Sequence, residues 1–297
     1  MSWKAYKLTF QMKSPLHSGY AKVGNIQQTR LYITGRMLWG ALTSKITRLT
    51  NSTKYIQVGK EIDRHLRTSY FFPCLDREGN HPILPEVQDY QPGYRVDCAH
   101  LKASKVERWL ITSYASTAIN KNTFTAEEGS LHEVELISDH FLNNINENGI
   151  NINAGDHVYL TGVFFLSKEA PNDVKEYWKK AVKDFQIGGE RGYGFGRLSL
   201  IADPHPTKEL FGCELILSGD DPEISIGENE PILAHAVALN ELEMQGIIEP
   251  FLGRETGEDR EFGKKLSNAK PCWAPGTTSH KNTSFFIKER GIWEAQV

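Results

Sequence analysis

A chain of 297 residues, 39% hydrophobic and 24% charged, has apolar mass for one large domain or two ordinary ones, with the composition of a soluble globular protein. No apolar run reaches about 18 residues, which excludes a membrane-spanning helix, and MSWKAYKLTF lacks the apolar core of a secretion signal, so a cytoplasmic location is expected. The cysteines Cys74, Cys98, Cys213 and Cys272 lie far apart with no CxxC pair, against both a disulfide framework and a zinc site.

The net charge of −3 hides a division along the chain. Residues 1–70 carry 12 Lys and Arg against Glu61 and Asp63 alone, whereas residues 201–262 carry 15 acidic residues against three basic ones. Such a chain can hold a polyanion at its basic front, unless folding interleaves the two segments and cancels the asymmetry.

In chain order, Lys4 to Met12 alternates polar and apolar residues as a half-buried strand does. Turn formers follow from Ser14 to Asn25. In TGRMLWGALTSKITRL, Met37, Leu38, Ala41, Leu42, Ile46 and Leu49 recur at helical spacing, with Thr34 placed to cap the start. The exposed face of this helix carries Arg36, Lys45 and Arg48; such a face is often merely solvated. Pro73, Pro82, Pro85 and Pro92 restrict the next stretch to loops and short extended pieces. Trp109 to Ala115 and Leu131 to Ile137 are expected to pair as a long hairpin whose tip carries Lys121. After a strand over His157 to Ser167, the residues Val174, Tyr177, Trp178, Ala181, Val182 and Phe185 form a complete apolar stripe, so a second helix is expected. Arg197 to Ala202 is a further strand. Strand, helix, hairpin, strand, helix, loop and strand together give an α+β, ferredoxin-like βαββαβ pattern, with one sheet face expected to be exposed. Beyond Asp203 the PHP triplet predicts a domain boundary, and short apolar runs predict a smaller, strand-rich second domain.

Between the second helix and the last strand lies GGERGYGFGRL, with Gly188, Gly189, Gly192, Gly194 and Gly196 interleaved with Arg191, Tyr193, Phe195 and Arg197. Glycines can bring bare backbone N–H groups close to a phosphate, arginines pair with phosphates, and aromatic rings stack unpaired bases. The loop lacks the GK[ST] of a phosphate-binding P-loop, and it does not join a strand to a helix as a dinucleotide-binding loop must, so no nucleotide cofactor is expected. RGYGF matches the opening of an RNA-recognition-motif signature, but the match lapses at Gly196 and stands after the second helix instead of before it. Phe195 is equally suited to pack in the core where the strand begins.

In its position and composition this loop resembles the glycine-rich loop of the repeat-associated (RAMP) superfamily of CRISPR-associated proteins. SPLHSG and YITGRMLWGAL resemble that superfamily's first strand end and first helix, and TAINKNTFTAEEGSLHEVE resembles the segment that forms a thumb-like hairpin along guide RNA. Three motifs in order span most of residues 1–200. Within the superfamily, the chain resembles the subunit that caps the five-prime end of the guide in type III effector complexes. That resemblance implies two RRM-like domains, here 1–204 and 205–297, and binding of the guide's repeat-derived five-prime tag. It also implies docking on the large polymerase-like subunit and on backbone RAMP subunits, and no cofactor. RNA contacts are then expected from Gly188, Gly189, Arg191, Gly192, Tyr193, Gly194, Phe195, Gly196 and Arg197 of the loop, from His17, Arg36, Lys45 and Arg48, and from Lys121.

Two enzyme readings compete with this one. Relatives that process CRISPR RNA use a histidine like His17 for general acid–base cleavage. Those nucleases carry the glycine loop near the C-terminus, without a domain after it. Backbone subunits that cut target RNA use an aspartate before the first helix, and Ser18 to Thr34 contains no acidic residue. A non-catalytic subunit is therefore expected, with His17 as a turn or RNA contact.

Overall fold

The computed structural model describes residues 2–88, 90–239, 242–255 and 263–296. The chain opens with β1 (Trp3–Met12), the hairpin β2 (Gly19–Val23) and β3 (Ile26–Thr29), and two helices, α1 (Gly35–Leu49) and α2 (Tyr55–His65). Short strands β4 (Leu66–Thr68) and β5 (Phe72–Cys74) follow, then a meander of β6 (Leu84–Gln88), β7 (Gln91–Val96) and β8 (Ala99–Lys102). Next come α3 (Ala103–Leu110), β9 (Ile111–Ser116), β10 (His132–Ile137), β11 (Ile145–Glu147) and β12 (Ile150–Ile152). The first half closes with β13 (Tyr159–Ser167), α4 (Asn172–Lys183), β14 (Asp184–Gln186), β15 (Arg197–Leu200) and β16 (His205–Thr207).

The central sheet runs β14-β15-β1-β13-β4, with β5 also on β13 and β16 also on β1. β1 lies between β15 and β13, β4 and β5 lie outside β13, and every pairing is antiparallel. This is the strand arrangement of a βαββαβ unit, with α1 after β1 and α4 after β13. Alternation along the strands decides what each face covers. Leu8, Phe10 and Met12 of β1, with Leu160 and Phe164 of β13, share a core with Leu38, Leu42 and Ile46 of α1 and Val174, Trp178 and Val182 of α4. Thr34 caps α1 as expected, its hydroxyl accepting from the Met37 N–H at 3.4 Å. Phe185 continues the α4 stripe in space, but from β14: the helix ends at Lys183, and Phe185 faces Leu198 across the ladder.

The opposite sheet face is covered, contrary to the expectation of an open one. Trp3 and Ala5 of β1 and Val163 and Phe165 of β13 pack in a second core with Ile224, Ile226, Phe285, Ile287 and Trp293. These residues belong to an eight-stranded sheet that includes Glu223–Ile226, Thr283–Ile287 and Trp293–Ala295; among the described residues after 205 there is no α-helix. Nor does the PHP triplet interrupt the structure. His205 to Thr207 pair with Lys7 to Ala5, so the chain enters its second half as part of the first sheet. The prolines of the insertion are likewise accommodated in strands, Pro85 opposite Tyr94 and Pro92 opposite Val87.

The basic front and acidic back are partly interleaved. Arg30 pairs with Glu249 at 2.6 Å, Arg36 with Glu255 at 2.9 Å, and Arg67 with Asp221 at 3.0 Å and Glu289 at 2.9 Å. Arg290 answers from the other side, meeting Asp63 at 3.2 Å. At the centre of this interface His235 is fully buried, its Nδ1 2.7 Å from the Tyr70 hydroxyl and its Nε2 2.5 Å from the Glu249 carboxylate.

The predicted hairpin forms as β9 and β10, paired from Ile111↔Ile137 to Ser116↔His132. Trp109 and Leu110 are exceptions, lying in α3 and not in the strand, and Leu131 precedes β10. β3 adds to β10 in parallel and β2 to β3, which makes a separate four-stranded sheet carrying the hairpin.

Candidate nucleic-acid interface

The glycines of the loop divide by what surrounds them. Gly188 and Gly196 have φ of +91° and +77°, a region that L side chains rarely adopt. A Cβ on Gly196 would overlap the Ile187 carbonyl oxygen, and one on Gly188 would stand 2.6 Å from the His17 carbonyl oxygen. Gly189 lies against the His17 ring, where a Cβ would meet Cδ2 at 2.8 Å. These three let the loop close against the end of β1: Gly196 N–H donates to the Pro15 carbonyl at 2.8 Å and Gly189 N–H to the His17 carbonyl at 3.0 Å. Gly194, at φ +90°, needs glycine for its conformation, but nothing approaches within 4 Å. Gly192 has neither a positive φ nor a neighbour within 4 Å. Arg191–Tyr193 form a single 3-10 turn that pushes this part of the loop into solvent.

On α1, Ala41, Ser44, Lys45 and Arg48 share one face, because residues three, four and seven apart stack along a helix. With Asp184, Gln186, Arg191 and Arg197 they line a cleft of about 280 Å³. Four predicted cations, Lys45, Arg48, Arg191 and Arg197, thus converge from two segments far apart in the chain. Asp184 is the one carboxylate in the lining, and among the described residues none of the four cations forms an ion pair. Arg48 hydrogen-bonds instead to Ser44, at 2.6 Å to its hydroxyl. Gln186 Nε2 fixes the loop by donating to the carbonyls of Arg191 (3.1 Å) and Phe195 (2.9 Å).

The other predicted contacts are placed elsewhere. Arg36 is largely buried, paired with Glu255 and 5.6 Å from the Phe251 ring centroid, in the interface between the two halves. Lys121 is exposed in the connection between β9 and β10 and does not line the cleft. His17 is only 5% exposed, behind the loop and not on it. Its Nδ1 lies 2.8 Å from the Glu135 carbonyl oxygen, which can only accept, so Nδ1 carries the proton.

The aromatic side chains gather on one surface. Tyr193 and Phe195 stand 6.2 Å apart at an interplanar angle of 26°, and Tyr114 of β9 packs against both, at 5.5 and 5.7 Å. Tyr193 is 52% and Tyr114 40% exposed, so two rings offer faces to solvent while Phe195 is half-buried beneath them. Sequence reasoning did not single out Tyr114, since only the hairpin's folding beside the loop brings it to Tyr193. Among the described residues no group of three or more His, Cys, Asp or Glu is arranged to hold a metal ion, and no helix is long and apolar enough to cross a membrane.

A glycine-rich turn, a cationic cleft and exposed aromatic rings on a βαββαβ scaffold define a candidate nucleic-acid-binding surface. The family model of the RAMP superfamily matches residues 9–199, and the chain belongs to that superfamily. No curated protein sequence matches it. Among solved structures it is similar to a chain in the cryo-EM structure of the type III-B Cmr-beta complex bound to cognate target RNA and AMPPnP. There the TM-score is 0.55 at 11% identity, over 92% of this chain and 85% of that one, a likeness of fold. Chains from Cmr-beta bound to cognate target RNA and from its apo state match with TM-scores of 0.41 and 0.39, each over 66% of this chain.

Proposed function

We propose that this RAMP protein is a non-catalytic, RNA-binding subunit of a type III CRISPR effector complex that holds the repeat-derived five-prime tag of the guide RNA. The observation that carries this reading is the meeting of Lys45, Arg48, Arg191 and Arg197 in one cleft beside the glycine turn. Among the described residues none of these cations is held in an ion pair, which leaves them for phosphate. Gly192 and Gly194 leave the loop backbone open to a strand, and Tyr114 and Tyr193 offer stacking faces for unpaired bases. The likeness to a Cmr-beta chain supports the assignment to a type III complex. With it come the expected partners: guide RNA, the large polymerase-like subunit and backbone RAMP subunits.

Residues 1–204 supply the RNA surface in this reading, and residues 205–297 act as a second RAMP-like unit that stiffens the first sheet from behind. His17 serves the fold: its carbonyl accepts the Gly189 N–H and its ring is tied to Glu135. Guide RNA crosslinked within the assembled complex is expected to map to peptides containing residues 188–197. Arg191→Ala with Arg197→Ala should weaken guide binding and flatten its salt dependence by about 0.7 for each phosphate left without its arginine. Unchanged binding and salt dependence would refute the placement, and cleavage of repeat RNA by the purified protein in EDTA would refute the non-catalytic reading.

A further inference from the structure

A second cavity, of about 690 Å³, opens beside the cleft and shares Arg191 with it. Its walls come from α1, α2, the start of the glycine loop and the chain near Glu255. A volume of this size lies within the range of about 300–1,000 Å³ typical of small-molecule sites. One side is apolar, with Met37, Trp39 and Ile56; Trp39 donates its Nε1–H to the Gly59 carbonyl at 3.0 Å and carries the Arg290 guanidinium 4.3 Å over its ring centroid, which leaves its edge to the cavity, and Ile56 is 38% exposed. Cations stand at the margins. Arg36 and Arg290 are already neutralised by Glu255 and Asp63, whereas among the described residues Lys60 and Arg191 form no ion pair.

Gly40 gives this cavity its direction. It lies inside α1, exposed, with helical backbone and nothing within 4 Å of a Cβ built on it. Glycine in a helix interior destabilises the helix relative to alanine, so neither conformation nor packing within this chain calls for it. Gly59, on the facing helix, is different: the Trp39 ring lies 3.0 Å from where its Cβ would stand. The bare patch at Gly40 suits a group that must lie flat on the helix backbone, next to an apolar wall and within reach of an unpaired arginine.

We infer that this cavity takes one nucleotide of the bound RNA, turned out of the strand, with its base against Trp39 and Ile56 over Gly40 and its phosphate on Arg191. Through Arg191 the nucleotide stays continuous with the strand in the cationic cleft. The inference rests on the RNA-binding reading above and adds a pocket for a single unstacked base.

The test uses the full chain and single-stranded RNA carrying the repeat-derived tag of its own array, with 2-aminopurine placed at each tag position in turn. One position should show a change in fluorescence on binding that the others do not. Gly40→Val should retain the wild-type melting temperature, lose that signal and bind about 5- to 150-fold more weakly, the range for loss of one base stack, with the salt slope unchanged because every phosphate keeps its cation. An abasic substitution at the responsive position should weaken wild-type binding and leave Gly40→Val unaffected. If Ile56→Glu and Gly40→Val both bind with wild-type affinity and fluorescence profile, the cavity holds no nucleotide, even where Arg191→Ala with Arg197→Ala still flattens the salt slope. If that double variant also changes nothing, the RNA-binding reading fails as well.

Discussion

Glu249→Ala tests the packing of the two halves. Its Oε1 accepts from His235 Nε2 at 2.5 Å and from the Arg30 guanidinium at 2.6 Å, and Arg30 also donates to the Tyr32 hydroxyl at 3.0 Å. Arg30 and Glu249 side chains are 14% and 10% exposed, and His235 is fully buried. Truncation leaves a guanidinium with its charge uncompensated and an imidazole N–H without an acceptor. Removing one partner of such a buried pair costs about 3–5 kcal/mol. At about 2–4 °C per kcal/mol for chains of this order of size, the melting temperature should fall by about 10 °C. Glu249→Gln also removes the countercharge of Arg30 but keeps an oxygen acceptor in the same place, so it should lose less than Glu249→Ala, by the neutral hydrogen bonds it retains. Thermal unfolding followed by circular dichroism distinguishes the three proteins. A Glu249→Ala protein melting within about 2 °C of wild type, less than the shift of a single kcal/mol, would show that the Arg30–Glu249–His235 network contributes nothing to joining the halves.

Acidification should act on the same network. Burial, only partly offset by the Glu249 hydrogen bond, holds the His235 imidazole below its ordinary value of 6.5, so the unfolded chain takes up this proton first and stability falls as pH drops below about 6.5. Burial alone would raise the Glu249 carboxyl, but His235 and Arg30 overcome it and hold it low, so its contribution is present above 4.5 and lost as pH falls through the native value. Melting curves of wild type and His235→Gln between pH 7 and 5 should therefore converge; parallel curves would count against it. Gly196→Ala should cost at least about 1–2 kcal/mol from its left-handed φ, with the Ile187 clash added, whereas Gly192→Ala should leave the melting temperature unchanged. Tyr114→Ala should weaken binding of single-stranded RNA by about 1–3 kcal/mol in fluorescence anisotropy, and equal affinity would remove it from the stacking surface.

The elements visible in the sequence are those whose burial follows their own periodicity. β1 alternates along its length, and α4 shows its stripe because only one side of it meets the sheet. α2 is barely marked, since it buries only Gly59, Ile62 and His65, too few for a stripe. The same limit explains the covered sheet face. Trp3, Ala5, Val163 and Phe165 could be seen as apolar, but nothing local says that strands from beyond residue 205 lie on them. Within the site, the glycine loop and the basic face of α1 were legible because composition marks them. Their separation into cleft and interface was not: Arg36 and Lys45 lie on the same helix, and only Glu255, more than two hundred residues later, takes Arg36 away from solvent. Tyr114 and Tyr193 are neighbours only because the hairpin leans on the loop.

His17 has a mechanical consequence. One residue touches the glycine loop through its carbonyl and ring edge, and touches β10 through Nδ1, so loop and hairpin root are pinned to a common post. Displacing the hairpin would therefore load the glycine loop through this imidazole.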